Sequence, residues 1–149
     1  MSGEATTAAA TFYYPGTNIA ARKGDILVTS DTVYLGLAGH VGIVTSTNLM
    51  HFANADAPGP RPQALSTWFK NRSTTKVIRV TNSEIVTNAA EWAARMRTQE
   101  WEYSIFSTGI SLLDPNNCAK FVFQAFNRGN NKQILNHPII QMTNIVMPY

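Results

Sequence analysis

The stretch from residue 24 to residue 52 most constrains what this chain can fold into. Gly24-Asp25-Ile26-Leu27-Val28-Thr29 and His40-Val41-Gly42-Ile43-Val44-Thr45 are rich in β-branched residues and bounded by glycine or polar turns. Each therefore reads as a strand. After the short turn Ser46-Thr47-Asn48 comes a third strand, Leu49-Met50-His51-Phe52. If the second and third strands form a hairpin, His40 and His51 occupy neighbouring strands on one face.

Further along, residues 64–71 read as a short helix anchored by Trp68 and Phe69, and residues 76–80 as a strand. Residues 83–99 give the strongest helical pattern, with Val86, Ala89, Ala90, Ala93 and Met96 on one side and Ser83 as a candidate N-cap. Between them, residues 54–62 centre on Pro58-Gly59-Pro60 and read as a loop. Residues 1–21 read as a Thr/Ala-rich, partly ordered arm. The apolar tail, residues 134–149, is expected to pack back on the domain as a strand. No repeat or long linker divides the chain, so residues 1–149 form a single domain. The expected class is α+β: a small antiparallel sheet or barrel packed against the helix that begins near residue 118 and the 83–99 helix.

That later helix carries the chain's one cysteine. Asp114-Pro115-Asn116-Asn117 turns into Cys118-Ala119-Lys120-Phe121-Val122-Phe123-Gln124-Ala125-Phe126. A lone cysteine is commonly a small buried apolar residue. Here Ala119, Val122, Phe123 and Phe126 already supply an apolar stripe, leaving Cys118 to look out of the helix end. A helix N-terminus offers unpaired N–H groups and the positive end of the dipole, which favour a thiolate nucleophile. A base is also needed, and the histidines are His40, His51 and His137. His40 opens the second strand, where it can face a helix end, and His51 can fix the tautomer of its neighbour. His137 stands before Pro138, which holds it extended, and is not expected to take part.

Gly24-Asp25-Ile26, then Gly39-His40-Val41-Gly42-Ile43-Val44, a polar residue on the next strand, and Asn117-Cys118 opening an apolar helix together resemble the circularly permuted branch of the NlpC-type papain-like superfamily. The nearest pattern is that of the YiiX-like proteins, with the lecithin:retinol acyltransferase-like proteins further off. In that branch the histidine precedes the cysteine, the order found here, and the likeness spans roughly residues 22–128. The resemblance implies Cys118 as nucleophile and His40 as base. For the third position it implies a polar residue, histidine in acyltransferase-like members and often glutamate in YiiX-like ones. His51 fits the first pattern, and Asn54 or Asp56 is the fallback.

Composition narrows the remaining choices. Apolar residues make up 44% of the chain, but charged residues only 14%, against a usual level of about 25%. Thr and Asn supply the polarity instead, a weak sign of an exported protein. Residues 1–10 lack the basic start and apolar middle of a signal peptide, so the chain either is not exported by that route or has lost its signal. A single cysteine forms no internal disulfide. The net charge of +3 is scattered, without the basic stripe of a nucleic-acid binder. No zinc spacing and no run of about 20 apolar residues is present, so neither a metal nor a stable membrane insertion is expected, and no cofactor.

The expected activity is amide-bond hydrolysis by Cys118, His40 and His51, and the resemblance implies a peptide or peptidoglycan-fragment substrate. The runner-up is a lipid acyl hydrolase or acyltransferase working through a thioester. A ligand-binding relative that has lost turnover is the non-enzymatic alternative. The cleft is expected to be bordered by residues 54–62, 31–37 and 103–113, with Tyr34, Tyr103 and Trp68 as candidate substrate contacts.

Overall fold

Alternation of side chains along strands decides the architecture, because each strand feeds two cores at once. In the computed structural model, which describes residues 10–34, 37–54, 57–102, 116–131 and 142–145, six strands form one sheet. They are β1 (Ile26–Tyr34), β2 (Leu37–Val44), β3 (Leu49–Asn54), β4 (Ala57–Ala64), β5 (Lys76–Val80) and β6 (Met142–Ile145). Their order is β4-β3-β2-β1-β5-β6, with every neighbouring pair antiparallel. Three helices are α1 (Leu65–Asn71), α2 (Ser83–Arg95) and α3 (Cys118–Gly129). The protein is thus α+β with an antiparallel sheet.

On one face Leu27, Val44, Met50, Phe52 and Val77 pack with Leu65, Trp68 and Phe69 of α1. On the other, Ile43, Ala53 and Val80 pack with Ile85, Ala89 and Trp92 of α2 and with Phe121, Val122 and Ala125 of α3. The period-2 pattern of the strands and the 3.6-residue pattern of the helices thus meet in two apolar layers, one on each side of the sheet.

Several boundaries differ from the sequence reading. The residues before β1 are not merely an arm: Tyr14 is fully buried, Ala21 is buried, and Phe12 and Ile19 pack against the first core. Residues 57–64 are a strand rather than a loop. β4 lies at the sheet edge, where alternate N–H groups point away from the ladder, and on its regularly paired stretch Pro60 and Pro62 stand two residues apart. A proline ring is tolerated there because no ladder bond is lost. Gly59 lies where the β3–β4 pairing shifts, between the Ala53–Pro60 and Asn54–Ala57 rungs, and its amide donates to the Trp101 carbonyl at 3.0 Å. Gly59 has φ +75, and a Cβ there would collide with the Gln99 carbonyl, so this crossing needs glycine.

The second helix is capped by Asn82, not Ser83: the Asn82 side chain accepts from the Ile85 amide at 3.0 Å. It ends at Arg95 and runs into a 3₁₀ turn over Met96–Thr98. On α3 the buried arc comprises Lys120, Phe121, Val122, Gln124, Ala125 and Phe126, while Ala119 is exposed and Phe123 half-buried. The arc is wider than the expected stripe because α3 packs against both the sheet and α2. The tail does return to the sheet, as β6 beside β5.

One polar cluster ties these parts together. Asp25, 1% exposed, accepts from Arg79 Nε and Nη2 at 2.8 Å each, from the Tyr14 hydroxyl at 2.5 Å and from the Arg22 amide at 3.1 Å. Arg79 also donates to the Ala20 carbonyl at 2.9 Å. Burial beside the Asp25 charge pushes the Tyr14 pKa upward, and the hydrogen bonds to Asp25 hold the Arg79 pKa above its ordinary value. Removing one partner strands a buried charge. We expect Arg79→Met to cost about 3–5 kcal/mol in urea unfolding and Tyr14→Phe about 1.5–3 kcal/mol. Unchanged midpoints in both variants would contradict this role.

Candidate functional site

Asn117 sets the start of α3. It is extended (φ −151, ψ 178), and its side chain accepts from the Lys120 amide at 2.9 Å. The preceding residue, Asn116, is 1% exposed; its side chain donates to Gln124 Oε1 and accepts from the Asn117 amide, each at 2.8 Å. The Asn116 amide donates to the Glu102 carbonyl at 2.8 Å. Cys118 is therefore the first residue of a helix whose entry is held on both sides, and its side chain is only partly buried.

His40 pairs with Thr29 in the β1–β2 ladder and shares the face of Leu27 and Val44. Its ring meets Phe52 edge-on at 4.9 Å between centroids and lies 5.5 Å from Trp68. It is 4% exposed, and Nε2 has no hydrogen-bond partner. Burial, reinforced by the nearby Arg72 charge, lowers its pKa to about 4, so the imidazole is neutral at physiological pH. Arg72 lies 4.4 Å from the centre of the Trp68 ring.

A cavity of about 540 Å³ brings His40 and Cys118 to one space, together with Val28, Ser30, Val41 and Lys76. It coincides with the irregularity in the β1–β2 ladder, where the pairing shifts between Thr29 and Val33. Such breaks re-aim side chains and are common beside active sites. His40, on the α1 face, and Cys118, at the end of a helix on the opposite face, both border this space. The two side chains are not hydrogen-bonded to each other.

His51 does not join them. It pairs with Ile43, and His40 is three residues from Ile43, so the two-residue period of a strand puts the imidazoles on opposite faces. His51 is 4% exposed, with Nδ1 2.8 Å from Thr45 Oγ1 and Nε2 unpartnered. Burial first, and the Arg97 charge second, lower its pKa to about 4.

Trp68 is corrected as well. It is fully buried, donates from Nε1 to Thr75 Oγ1 at 2.9 Å, and belongs to the α1-side core rather than the cavity wall. Tyr34 stands on the last rung of β1, opposite Leu37. Tyr103, Asp56 and His137 lie outside the described residues. Of the segments expected to border the cleft, no described residue of 31–37 or 54–62 lines the cavity, and residues 103–113 lie outside the described residues.

The residue that sequence reasoning missed is Lys76. It opens β5 opposite Val28, and only the pairing of two strands distant in sequence reveals that it reaches the cavity. Among the described residues no cluster of three or more metal-ligating side chains is found, and no helix is long and apolar enough to cross a membrane. Comparison with family models, with curated proteins and with solved structures gives no match.

Both buried imidazoles titrate in the folded state near 4, against 6.5 when unperturbed. Between these values the unfolded chain binds more protons, so their contribution is complete above about pH 6.5 and lost as pH falls toward 4. Urea midpoints measured from pH 7 to pH 4 should fall, and His51→Asn should make the fall shallower. An equally steep fall in His51→Asn would show that other groups carry the acid sensitivity.

Proposed function

We propose that the protein is a cysteine hydrolase cleaving an amide bond in a peptide or cell-wall peptide fragment. The observation that supports it is the shared cavity: the chain's one cysteine, at a helix start, and a neutral buried imidazole with an unpartnered nitrogen border the same space. In this reading the Cys118 sulfur attacks the carbonyl and His40 accepts its proton. Amide N–H groups in the first turn of α3 stabilise the oxyanion. His40 returns the proton to the departing amine, and water then releases the acyl group from sulfur.

For this, His40, whose ring packs against Phe52 and Trp68, must present a nitrogen to Cys118. Gly39, exposed and at φ +120, supplies backbone freedom beside it. His51 leaves the scheme because it lies across the sheet. Asn54, the fallback that the sequence offers, takes over as candidate orienting residue.

A second reading, ligand binding without turnover, is favoured by one observation: His40 and Cys118 make no hydrogen bond, and the imidazole is seated among aromatic rings. Turnover of a panel of muropeptides and short peptides separates the two. Cys118→Ala and His40→Ala should each lower turnover on the order of 10³-fold while substrate binding persists, because members of such a site act as a unit. If wild type and Cys118→Ala bind one ligand equally and neither converts it, the binding-module reading replaces the hydrolase.

A further inference from the structure

The cavity has a charge asymmetry that bears on its ligand. Val41, Val28 and Lys76 form one row across β2, β1 and β5, as the Val28–Val41 and Val28–Lys76 pairings show. Side chains in one row of a sheet share a face. Val77 points into the α1-side core, so Lys76 projects on the other side, the side on which α3 lies. Cys118 borders the cavity from that helix. Lys76 is exposed and has no ion-pair partner among the described residues.

The other charges around it are few. No carboxylate lines the cavity among the described residues, and Lys76 is the one side chain of these that is cationic there at neutral pH. The positive end of the α3 dipole lies at the same place, since Cys118 is the first helical residue. A neutral ligand would leave this potential unanswered. A carboxylate would meet an ammonium and a helix start together.

We propose that Lys76 is a specificity-determining residue that holds a carboxylate of the ligand in this cavity, so that the substrate is a small acidic peptide with a free carboxylate close to the bond presented to Cys118. The proposal rests on the hydrolase reading for the word substrate, while the anion preference of the cavity stands apart from it. The volume, about 540 Å³, is that of a small-ligand site. Lys76 and Cys118 border the same space, which sets the carboxylate close to the scissile bond.

The single cysteine allows a test that needs no known substrate. Iodoacetate and iodoacetamide form the same thioether linkage at Cys118, with loss of iodide, and differ in carrying a carboxylate or a neutral amide. Their rate ratio cancels the intrinsic reactivity of the thiol. Normalised to the ratio for N-acetylcysteine, the wild-type ratio should favour iodoacetate by roughly threefold or more, as one unit charge at contact range implies. Lys76→Met should bring the ratio down toward that of the free thiol, Lys76→Glu should push it lower still, and Lys76→Arg should preserve it. Added salt should erode the wild-type preference. Circular dichroism on each variant establishes that it is folded.

A wild-type ratio equal to that of N-acetylcysteine, or one unchanged in folded Lys76→Met and Lys76→Glu, overturns the proposal. A parallel panel of peptides with free or amidated C-termini tests the hydrolase reading separately. Faster cleavage of the free acids, lost in Lys76→Met, supports both ideas. Equal cleavage of acids and amides overturns the carboxylate proposal and leaves a hydrolase. Charge-selective alkylation without cleavage of any peptide keeps the anion site and removes the hydrolase.

Discussion

The Asp25–Arg79 pair is the constraint on which the arrangement of the sheet depends. Asp25 immediately precedes β1 and Arg79 lies within β5, and the ladder between these strands runs Ile26–Ile78, Leu27–Val77, Val28–Lys76. Asp25 opposite Arg79 is the next rung of the same series. A shift of one residue would pull the guanidinium away from a carboxylate that is almost wholly excluded from water, and would turn Val77 out of its core. Buried ion pairs add little net stability compared with apolar contacts, because desolvation offsets the attraction. Here the pair discriminates between registers, and Tyr14 and the Ala20 carbonyl extend that discrimination to the segment before β1.

The candidate site inherits its geometry from that register. With Val28 fixed between Val41 and Lys76, the helix-facing side of the central strands presents two small apolar residues and one ammonium to the start of α3. His40 borders the same cavity from the opposite face, next to the ladder irregularity beyond Thr29. Asn117 and Asn116 complete the arrangement by fixing where α3 begins, and hence where Cys118 stands. The site is an outcome of one strand register and one helix cap.

Local patterns in the sequence were sufficient for much of this. The first three strands, β5 and the short helix after β4 stand where β-branched runs and aromatic anchors placed them, and Cys118 does open a helix. What failed had a common cause. Pro58, Pro60 and Pro62 argue against a strand unless the strand is known to be an edge, and edge position is a property of the whole sheet. His51 seemed a partner for His40 because the two lie on consecutive strands, but the face each one occupies depends on the pairing of Ile43 with His51. By sequence Trp68 suits a cleft or a core equally well, and only the three-dimensional packing of the α1-side cluster encloses it. Lys76 carried no local signal at all, since its place is set by a pairing between distant segments.

The central claim is that His40 and Cys118 work as a pair. It is tested most directly by the rate of iodoacetamide alkylation of Cys118 as a function of pH, in the wild type and in His40→Ala. The account predicts that His40→Ala, still folded by circular dichroism, is alkylated several-fold more slowly than wild type at neutral pH. Equal rates in wild type and folded His40→Ala across the pH range would contradict it.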